Sequence, residues 1–485
     1  MRTVPVYGGR MDAGSMAAAG PPVRRDWRAE ALATLRLAGP IVLTNLSQMA
    51  LALTETILLG RLSTDALAAG MLAVSLHFAL LAPGFGLALA AAPLQAQACG
   101  AGRLPGVAAR GWVRAVRRAT RAALWACAIM LLPTWALLWE SAGVLRALGQ
   151  DPALAALAQD YTRAAMFGMP GFCGFVVLRG FLAAMERPAA AMWVAFGAVA
   201  LNLPLAWLLI FPAGLGVLGA GLAIAIANIG MLLALVVLIR RDRVFRRFRL
   251  FGRVWRVDGP RLREVFVVGL PIAGVMLLEI GVFTAAAFAM GWFGTVAVAA
   301  HAIAIQTASA TFMVPMGIGQ AATARVGLAI GAGDPRGAQR AGWVAVTLGA
   351  AFMATMALLL VTTAPAIARM FLDPADPQSA AVAALGATLL MIAGAFQMGD
   401  GIQVVAAGAL RGLKDTRVPM LFAALGYWGI GLPFGLLVAR YGGLGPQGVW
   451  IGLGVGLALV AGMMLLRWRR LSAAAAQEVS RSPAG

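Results

Sequence analysis

The sequence predicts an all-α polytopic membrane protein, with twelve transmembrane helices in two six-helix bundles related by a pseudo-two-fold axis along the membrane normal. Three observations lead to this fold class. Of 485 residues, 61% are hydrophobic and only 12% are charged, whereas soluble domains carry about 25% charged residues. The hydrophobic residues form long runs separated by arginine-rich loops, and the second half of the chain repeats landmarks of the first at a constant spacing.

Twelve apolar runs are long enough to cross a bilayer, which takes about 20 residues of helix. They lie near residues 37–60, 67–98, 112–138, 161–182, 189–211, 216–239, 264–290, 296–328, 342–365, 381–409, 418–439 and 448–467. The second, eighth and tenth exceed one membrane thickness, so we expect them to tilt or to project beyond the bilayer. The first is too long for the apolar core of a signal peptide, so we expect it to be a transmembrane helix rather than a cleaved leader.

The arginines predict the orientation of these helices, because cytoplasmic loops carry an excess of Lys and Arg. Basic clusters precede the first span and follow the second, sixth, tenth and twelfth, whereas the fifth and seventh loops carry no charge. Both termini are therefore expected in the cytoplasm. The same distribution explains the net charge of +20 through contact with the lipid bilayer, so we expect no nucleic-acid partner.

An internal repeat divides the chain into two halves. At a shift of 231 residues, Pro40 aligns with Pro271 and Gly60 with Gly291; at 229, Pro204 aligns with Pro433. Each half holds six spans and begins inside, which predicts parallel repeats with a binding site between them. The predicted boundaries are an N-terminal tail 1–34, a first bundle 35–240, an arginine-rich linker 241–263, a second bundle 264–470 and a C-terminal tail 471–485.

The four matched prolines are candidate hinges, because interrupted helices at equivalent positions of two repeats can mark a transport site. They are Pro40, Pro204, Pro271 and Pro433.

Three carboxylates within predicted spans are the candidate cation-binding and coupling residues: Glu55, Glu279 and Asp400. An ionisable side chain at mid-membrane costs about 2.5–3.5 kcal/mol on insertion scales, so each requires a reason. One alternative is a structural strut that hydrogen-bonds neighbouring helices. The other is coupling, because burial lets a carboxyl group exist in its neutral form and so take up and release a proton or a small cation.

Polar side chains accompany two of these acids and are candidates for the lining of a substrate cavity. Asn45 and Gln48 share one helix face with Glu55, and Gln397 and Gln403 flank Asp400 at i−3 and i+3.

Other polar residues receive structural interpretations. Cys99, Cys127 and Cys173 are expected to be buried apolar side chains. His301 is expected to form hydrogen bonds rather than relay protons, His77 is assigned no role, and Arg325 and Arg411 are expected to snorkel towards lipid phosphates.

We find no catalytic motif and a single lysine, so the chain is not expected to be an enzyme or to hydrolyse ATP, and no cofactor is expected beyond a coupling ion.

Several motifs together resemble the multidrug and toxic compound extrusion (MATE) transporters, in particular their NorM branch, over about residues 30–470. The motifs are Leu37-Ala38-Gly39-Pro40, Glu55-Thr56-Ile57 with Gly60, the run 96–103 (AQACGAGR), Glu279, and above all the run 403–416 (QVVAAGALRGLKDT). The last of these is specific, whereas the others are supportive.

The resemblance implies two six-helix bundles around a V-shaped cavity, and a secondary active antiporter that exports bulky, often cationic drugs and dyes in exchange for Na⁺ or H⁺. It also implies that Glu55, Glu279 and Asp400 are the functional acids, with Na⁺ at Glu279 and Asp400. The chain departs from the family in having Glu55 where Asp is usual, and Phe396 where some members have Tyr. Phe396 removes one oxygen ligand for Na⁺.

We therefore expect a multidrug efflux transporter that acts as a monomer in a bacterial inner membrane, with drug-like cations as its cargo. The alternatives are a flippase for a lipid-linked precursor and, less favoured, a passive channel. A flippase would require cationic residues in its cavity to hold pyrophosphate, whereas the mid-membrane charges identified here are acidic.

Overall fold

The computed structural model describes residues 26–104, 106, 108–373, 375 and 377–481, and within these residues the chain is helical and contains no strand. Twelve helices in this part of the chain are long and apolar enough to cross a membrane. We label them α1 to α12: Trp27–Leu62, Thr64–Ala101, Arg110–Trp139, Pro152–Ala184, Ala189–Ile210, Gly216–Arg241, Gly259–Gly291, Thr295–Gly331, Pro335–Met370, Ser379–Gly412, Arg417–Tyr441 and Pro446–Ala475. The predicted fold class is confirmed.

The helices extend beyond the predicted spans. Helix α1 begins at Trp27, inside the predicted tail 1–34, and α12 continues as helix to Arg481, beyond the predicted boundary at 470. Backbone hydrogen bonding continues where the side chains become polar, so a helix need not end at the edge of the hydrocarbon core. The rest of the predicted N-terminal tail, including Arg24 and Arg25, lies outside the described residues.

The segment between the two halves is folded onto the first half. The guanidinium of Arg121 on α3 donates to the carbonyl of Arg253, and the indole of Trp125 donates to that of Val254, both at 2.7 Å. Arg118 on α3 pairs with Asp258, which also caps α7 through the backbone N–H of Arg261. The guanidinium of Arg118 holds the pKa of Asp258 below its usual range.

Close contacts between the halves lie on the arginine-rich side. Gly86 on α2 leaves no room for a Cβ atom beside Ala273 on α7, and Gly317 on α8 approaches Val42 on α1 equally closely. Nearer the arginine-rich loops, the Gln97 amide on α2 donates to the carbonyl of Gly412 on α10 at 2.9 Å. Small residues let helix backbones approach closely in a membrane.

Towards the opposite side the halves diverge. The outer parts of α2 and α8, which approach each other near the arginine-rich loops, leave Met71, Phe78 and Val298 exposed. In the described chain, the close glycine approaches and hydrogen bonds between the halves lie at mid-membrane or on the arginine-rich side, so the space between the halves opens as a cleft to the arginine-poor side.

A buried ion-pair network joins the halves at the closed end of this cleft. The guanidinium of Arg325 on α8 donates to both carboxylate oxygens of Glu30 on α1, at 2.8 and 2.6 Å, and also pairs with Glu186 after α4. Glu186 in turn accepts from Arg103, at 2.8 Å. The expectation that Arg325 snorkels is wrong: its side chain is 7% exposed, because the other half of the molecule covers this end of α8.

The four matched prolines differ in their effects. Pro40, Pro204 and Pro271 lie within uninterrupted helices. Pro433 follows a π-helical turn, Ala424–Gly431, in the middle of α11. There the N–H of Leu432 bonds to the carbonyl of Tyr427, five residues back. Like the other three prolines, Pro433 has no N–H to donate, but only here is the gap in the ladder accompanied by a change from α-helical to π-helical bonding.

Candidate functional site

Two of the predicted acids come together in the second half of the chain. Asp400 on α10 is 7% exposed, and Glu279 on α7 is half-buried. The two side chains are close enough for their charges to act on each other. In a weakly polar site, two neighbouring carboxyl groups do not both stay negatively charged: either one of them holds a proton or a metal cation binds between them. The pair is therefore a candidate cation site.

Tyr427 completes this cluster and was not identified from the sequence. It is 2% exposed and lies beside Glu279, Asp400 and Gln403. Its hydroxyl has no hydrogen-bond partner among the described residues. The π-helical turn sets its direction, because one extra residue in a turn rotates the preceding side chains by about 100° relative to those that follow.

The surroundings of the pair are rich in free acceptor oxygens. Gln397 donates through Nε2 to the hydroxyl of Thr311 on α8, at 2.6 Å. Within the described chain, its own Oε1, Asp400 Oδ1 and Gln403 Oε1 are buried without a partner. No group of three or more His, Cys, Asp or Glu side chains that could hold a metal occurs in the described ranges. Oxygens of Tyr427 and the glutamines would therefore have to supplement the two carboxylates around Na⁺.

The third acid lies in the other half. Glu55 on α1 is 3% exposed and accepts a hydrogen bond from the hydroxyl of Tyr161 on α4, at 2.8 Å. Its second oxygen has no partner in the part of the chain described. Asn202, on the adjacent helix α5, is 1% exposed, and neither of its amide atoms has a partner among those residues. The structure thus places the three acids in two separate clusters.

The polar stripe on α1 does not form one site. Asn45 lies about 15 Å from Glu55 along the helix. Its Oδ1 accepts a hydrogen bond from Arg179 on α4, at 2.9 Å. Arg179 is 4% exposed. The conclusion that mid-membrane charges are exclusively acidic is therefore wrong.

Two other side chains behave as structural residues. His301 accepts a hydrogen bond from the indole of Trp450, at 3.2 Å, which agrees with the hydrogen-bonding role expected from the sequence. Phe396 packs against the same indole and supplies no oxygen. The three cysteines are free and buried, as expected.

The sequence contained two signals for the missed residues. The chain has only four tyrosines, and two of them, Tyr161 and Tyr427, are buried beside carboxyl groups. The tripeptide Leu178-Arg179-Gly180 recurs as Leu410-Arg411-Gly412, at nearly the spacing of the other repeats.

Comparison with known proteins identifies the family. The MatE family model matches residues 40–208 and again 271–437, and together these segments cover more than half of the chain. The chain belongs to the MATE family. The two matches begin 231 residues apart, the same shift that aligns Pro40 with Pro271. MATE proteins are transporters, so this chain is a multi-pass membrane transporter and not an enzyme.

The most similar relatives include three bacterial proteins named "Probable multidrug resistance protein NorM". Those of Mesorhizobium japonicum and Brucella suis are 46% and 44% identical, each over 92% of this chain and 94% of the relative. That of Rhodopseudomonas palustris is 44% identical over 97% of this chain and 98% of the relative.

Solved structures support the fold. The crystal structure of the eukaryotic MATE transporter AtDTX14 matches with a TM-score of 0.81 at 21% identity, over 93% of this chain and 99% of that chain. The Vibrio cholerae MATE transporter VcmN in its bent form matches with a TM-score of 0.78 at 19% identity, over 93% of this chain and 98% of that chain.

Proposed function

We propose that this MATE protein is a secondary active multidrug efflux transporter that exports bulky, often cationic compounds in exchange for Na⁺ or H⁺. The observation that carries the proposal is the cluster of Glu279, Asp400 and Tyr427 inside the second half, with buried oxygens that have no hydrogen-bond partner among the described residues. Relatives named as multidrug resistance proteins support the drug-efflux part of the proposal.

Coupling follows from competition at this cluster. A bound cation neutralises the repulsion between Glu279 and Asp400 and lowers their attraction for a cationic drug, so cation entry favours drug release. The acceptor oxygens around them suit either ion, because Na⁺ binds oxygens and a carboxylate binds a proton. Inward movement of one charge supplies about 2.3 kcal/mol per 100 mV, which drives a modest drug gradient.

Glu55 is proposed as a second, proton-binding or drug-facing site in the first half. Its one hydrogen bond within the described chain, from Tyr161, leaves the other carboxylate oxygen available to a ligand. The role is separate from that of the Glu279–Asp400 pair because the two clusters lie in different halves.

The transporter is proposed to lie in a bacterial inner membrane as a monomer, with both termini in the cytoplasm. The arginine-rich loops then face the cytoplasm. In this orientation the cleft of the present structure opens outward, which is the state that releases drug and receives the coupling ion.

The test is transport of ethidium by proteoliposomes under imposed Na⁺ and pH gradients, applied separately. Wild type should move dye under at least one gradient, and Asp400→Asn should abolish this movement without reducing expression. Asp160→Asn, at an exposed acid on α4, is the matched control and should transport normally. Full transport by Asp400→Asn would refute the coupling role.

A second candidate function, flipping of a lipid-linked precursor, is favoured by one observation. Arg179 places a positive charge inside the membrane, as a cavity that holds pyrophosphate requires. Absence of dye movement under both gradients by folded wild-type protein would favour this function over drug efflux.

A further inference from the structure

The buried Arg179 has no counter-ion among the residues that the structure describes. Its only hydrogen bond within the described chain joins Nη1 to the neutral amide oxygen of Asn45, at 2.9 Å, and none of the ion pairs there includes it. A buried arginine without a carboxylate partner is costly, whereas Arg325, near the end of its helix, has two carboxylate partners. The absence of a partner at Arg179 therefore calls for an explanation other than helix packing.

The guanidinium lies deep in the membrane. Asn45 is eight residues beyond the start of the first predicted span at residue 37, or about 12 Å of helix, in a bilayer core about 30 Å thick. Long side chains lean towards the N-terminus of their helix, and α4 runs towards the arginine-rich side. Arg179 is therefore directed away from the nearer membrane surface and is poorly placed to snorkel to it.

Arg179 also lies at the closed end of the cleft. Val42 meets Gly317 of the other half, and Asn45 lies one turn farther towards the open side on a neighbouring part of the α1 surface. The next turn carries Gln48. The Nδ2 of Asn45 and the Nε2 of Gln48 are both buried without an acceptor among the described residues, so the donors at this point outnumber their acceptors.

We propose that Arg179, supported by the amide groups of Asn45 and Gln48, forms a subsite that binds the carboxylate of a zwitterionic cargo molecule. Guanidinium groups bind carboxylates through paired, charge-assisted hydrogen bonds. Here the subsite lies in the first half, whereas the acidic pair Glu279 and Asp400 lies in the second. A molecule that carries both charges could then contact both halves. The inference rests on the proposed drug-efflux function and deepens it by naming a cargo class.

The test uses two dyes that differ by one methyl ester. Rhodamine 110 carries a free carboxylate, whereas rhodamine 123 is its methyl ester and a simple cation. Binding of both is measured by fluorescence polarisation with the full-length protein in phosphatidylcholine nanodiscs. We expect Arg179→Gln to weaken binding of rhodamine 110 by about tenfold or more and to change that of rhodamine 123 less than twofold. Arg179→Lys should restore part of the loss.

A second variant separates the subsite from folding. Asn45→Asp supplies Arg179 with an internal carboxylate and retains the arginine, so it should also lower affinity for rhodamine 110 selectively. Arg411→Gln, at the half-buried, repeat-related position of the second half, is the matched control for loss of an arginine and should not discriminate between the dyes. Equal effects of Arg179→Gln on both dyes would overturn the proposal.

The source of the oxyanion is tested with lipids. If the cargo carboxylate is the ligand, nanodiscs that contain phosphatidylglycerol should leave the rhodamine 110 preference unchanged. Loss of that preference in wild type alone would assign the subsite to a lipid phosphate and overturn the cargo assignment. Failure of both dyes to bind would count against the drug-efflux function itself, whereas binding of rhodamine 110 without any dependence on Arg179 would overturn only this inference.

Discussion

The Arg325 network is predicted to hold the arginine-rich side of the cleft closed. Arg325→Met would leave Glu30, whose side chain is 5% exposed, without its buried partner. Breaking a buried ion pair by removing one member costs about 3–5 kcal/mol. Glu186, whose side chain is 37% exposed, keeps its ion pair with Arg103. Loss of the Arg325–Glu186 pair therefore adds only about 0–1 kcal/mol to this cost.

Glu30 and Arg325 belong to opposite halves, so this cost falls on the closed state and largely spares the state in which the halves have separated. At about 1.4 kcal/mol per factor of ten, a cost of about 3 kcal/mol shifts the equilibrium at least 100-fold towards opening. Arg103→Met, which leaves the buried pair intact, should shift it less than tenfold.

The assay is the distance between spin labels on Arg110 and Arg336, exposed positions on the arginine-rich side of each half. Arg325→Met should populate a longer distance that Arg103→Met does not. Adding Glu30→Gln removes the unpaired carboxylate and should partly restore the short distance. If Arg325→Met lowers the melting temperature but leaves the distances unchanged, the network stabilises the fold rather than one state, and the reasoning is refuted.

Three further predictions concern other contacts. Tyr427→Phe removes one oxygen from the acidic pair and should raise the cation concentration for half-maximal efflux by about five- to tenfold, whereas Tyr441→Phe, at a largely exposed tyrosine, should leave it unchanged. Tyr161→Phe removes the only hydrogen bond that Glu55 accepts from the described residues and should slow efflux more than Tyr441→Phe does; an unaltered rate would argue against a role for that acid. Asp258→Asn keeps the helix cap but removes the charge that pairs with Arg118. Because this pairing lowers the pKa of Asp258 from 3.8, its contribution is present above pH 3.8 and is lost as the pH falls through the lowered pKa. At neutral pH the variant should therefore be less stable than wild type, by about 0–1 kcal/mol of unfolding free energy. Well below pH 3.8 the two should melt at the same temperature.

Hydrophobic runs and charge spacing determined most of the fold. Twelve spans, a two-fold repeat and three unusual acids were predicted, because the cost of placing a polar group in a membrane depends on the residue itself and on its position along a helix. The pairing of Glu279 with Asp400 agreed with the family resemblance, although no periodicity within one helix could place them together.

Contacts between helices were decided only by the tertiary structure. Arg325 was expected at a lipid surface and instead pairs with Glu30, 295 residues away in the chain. Arg179 was overlooked because its importance rests on the absence of a carboxylate partner among the described residues, and no sequence motif shows such an absence. Tyr427 reaches the acids through a π-helical turn that shifts the face of its helix, which a regular helical repeat does not predict. From the sequence, only Arg325 of these three residues was singled out. For all three, the neighbouring helices decide how the charge or the hydrogen-bonding group of the side chain is satisfied.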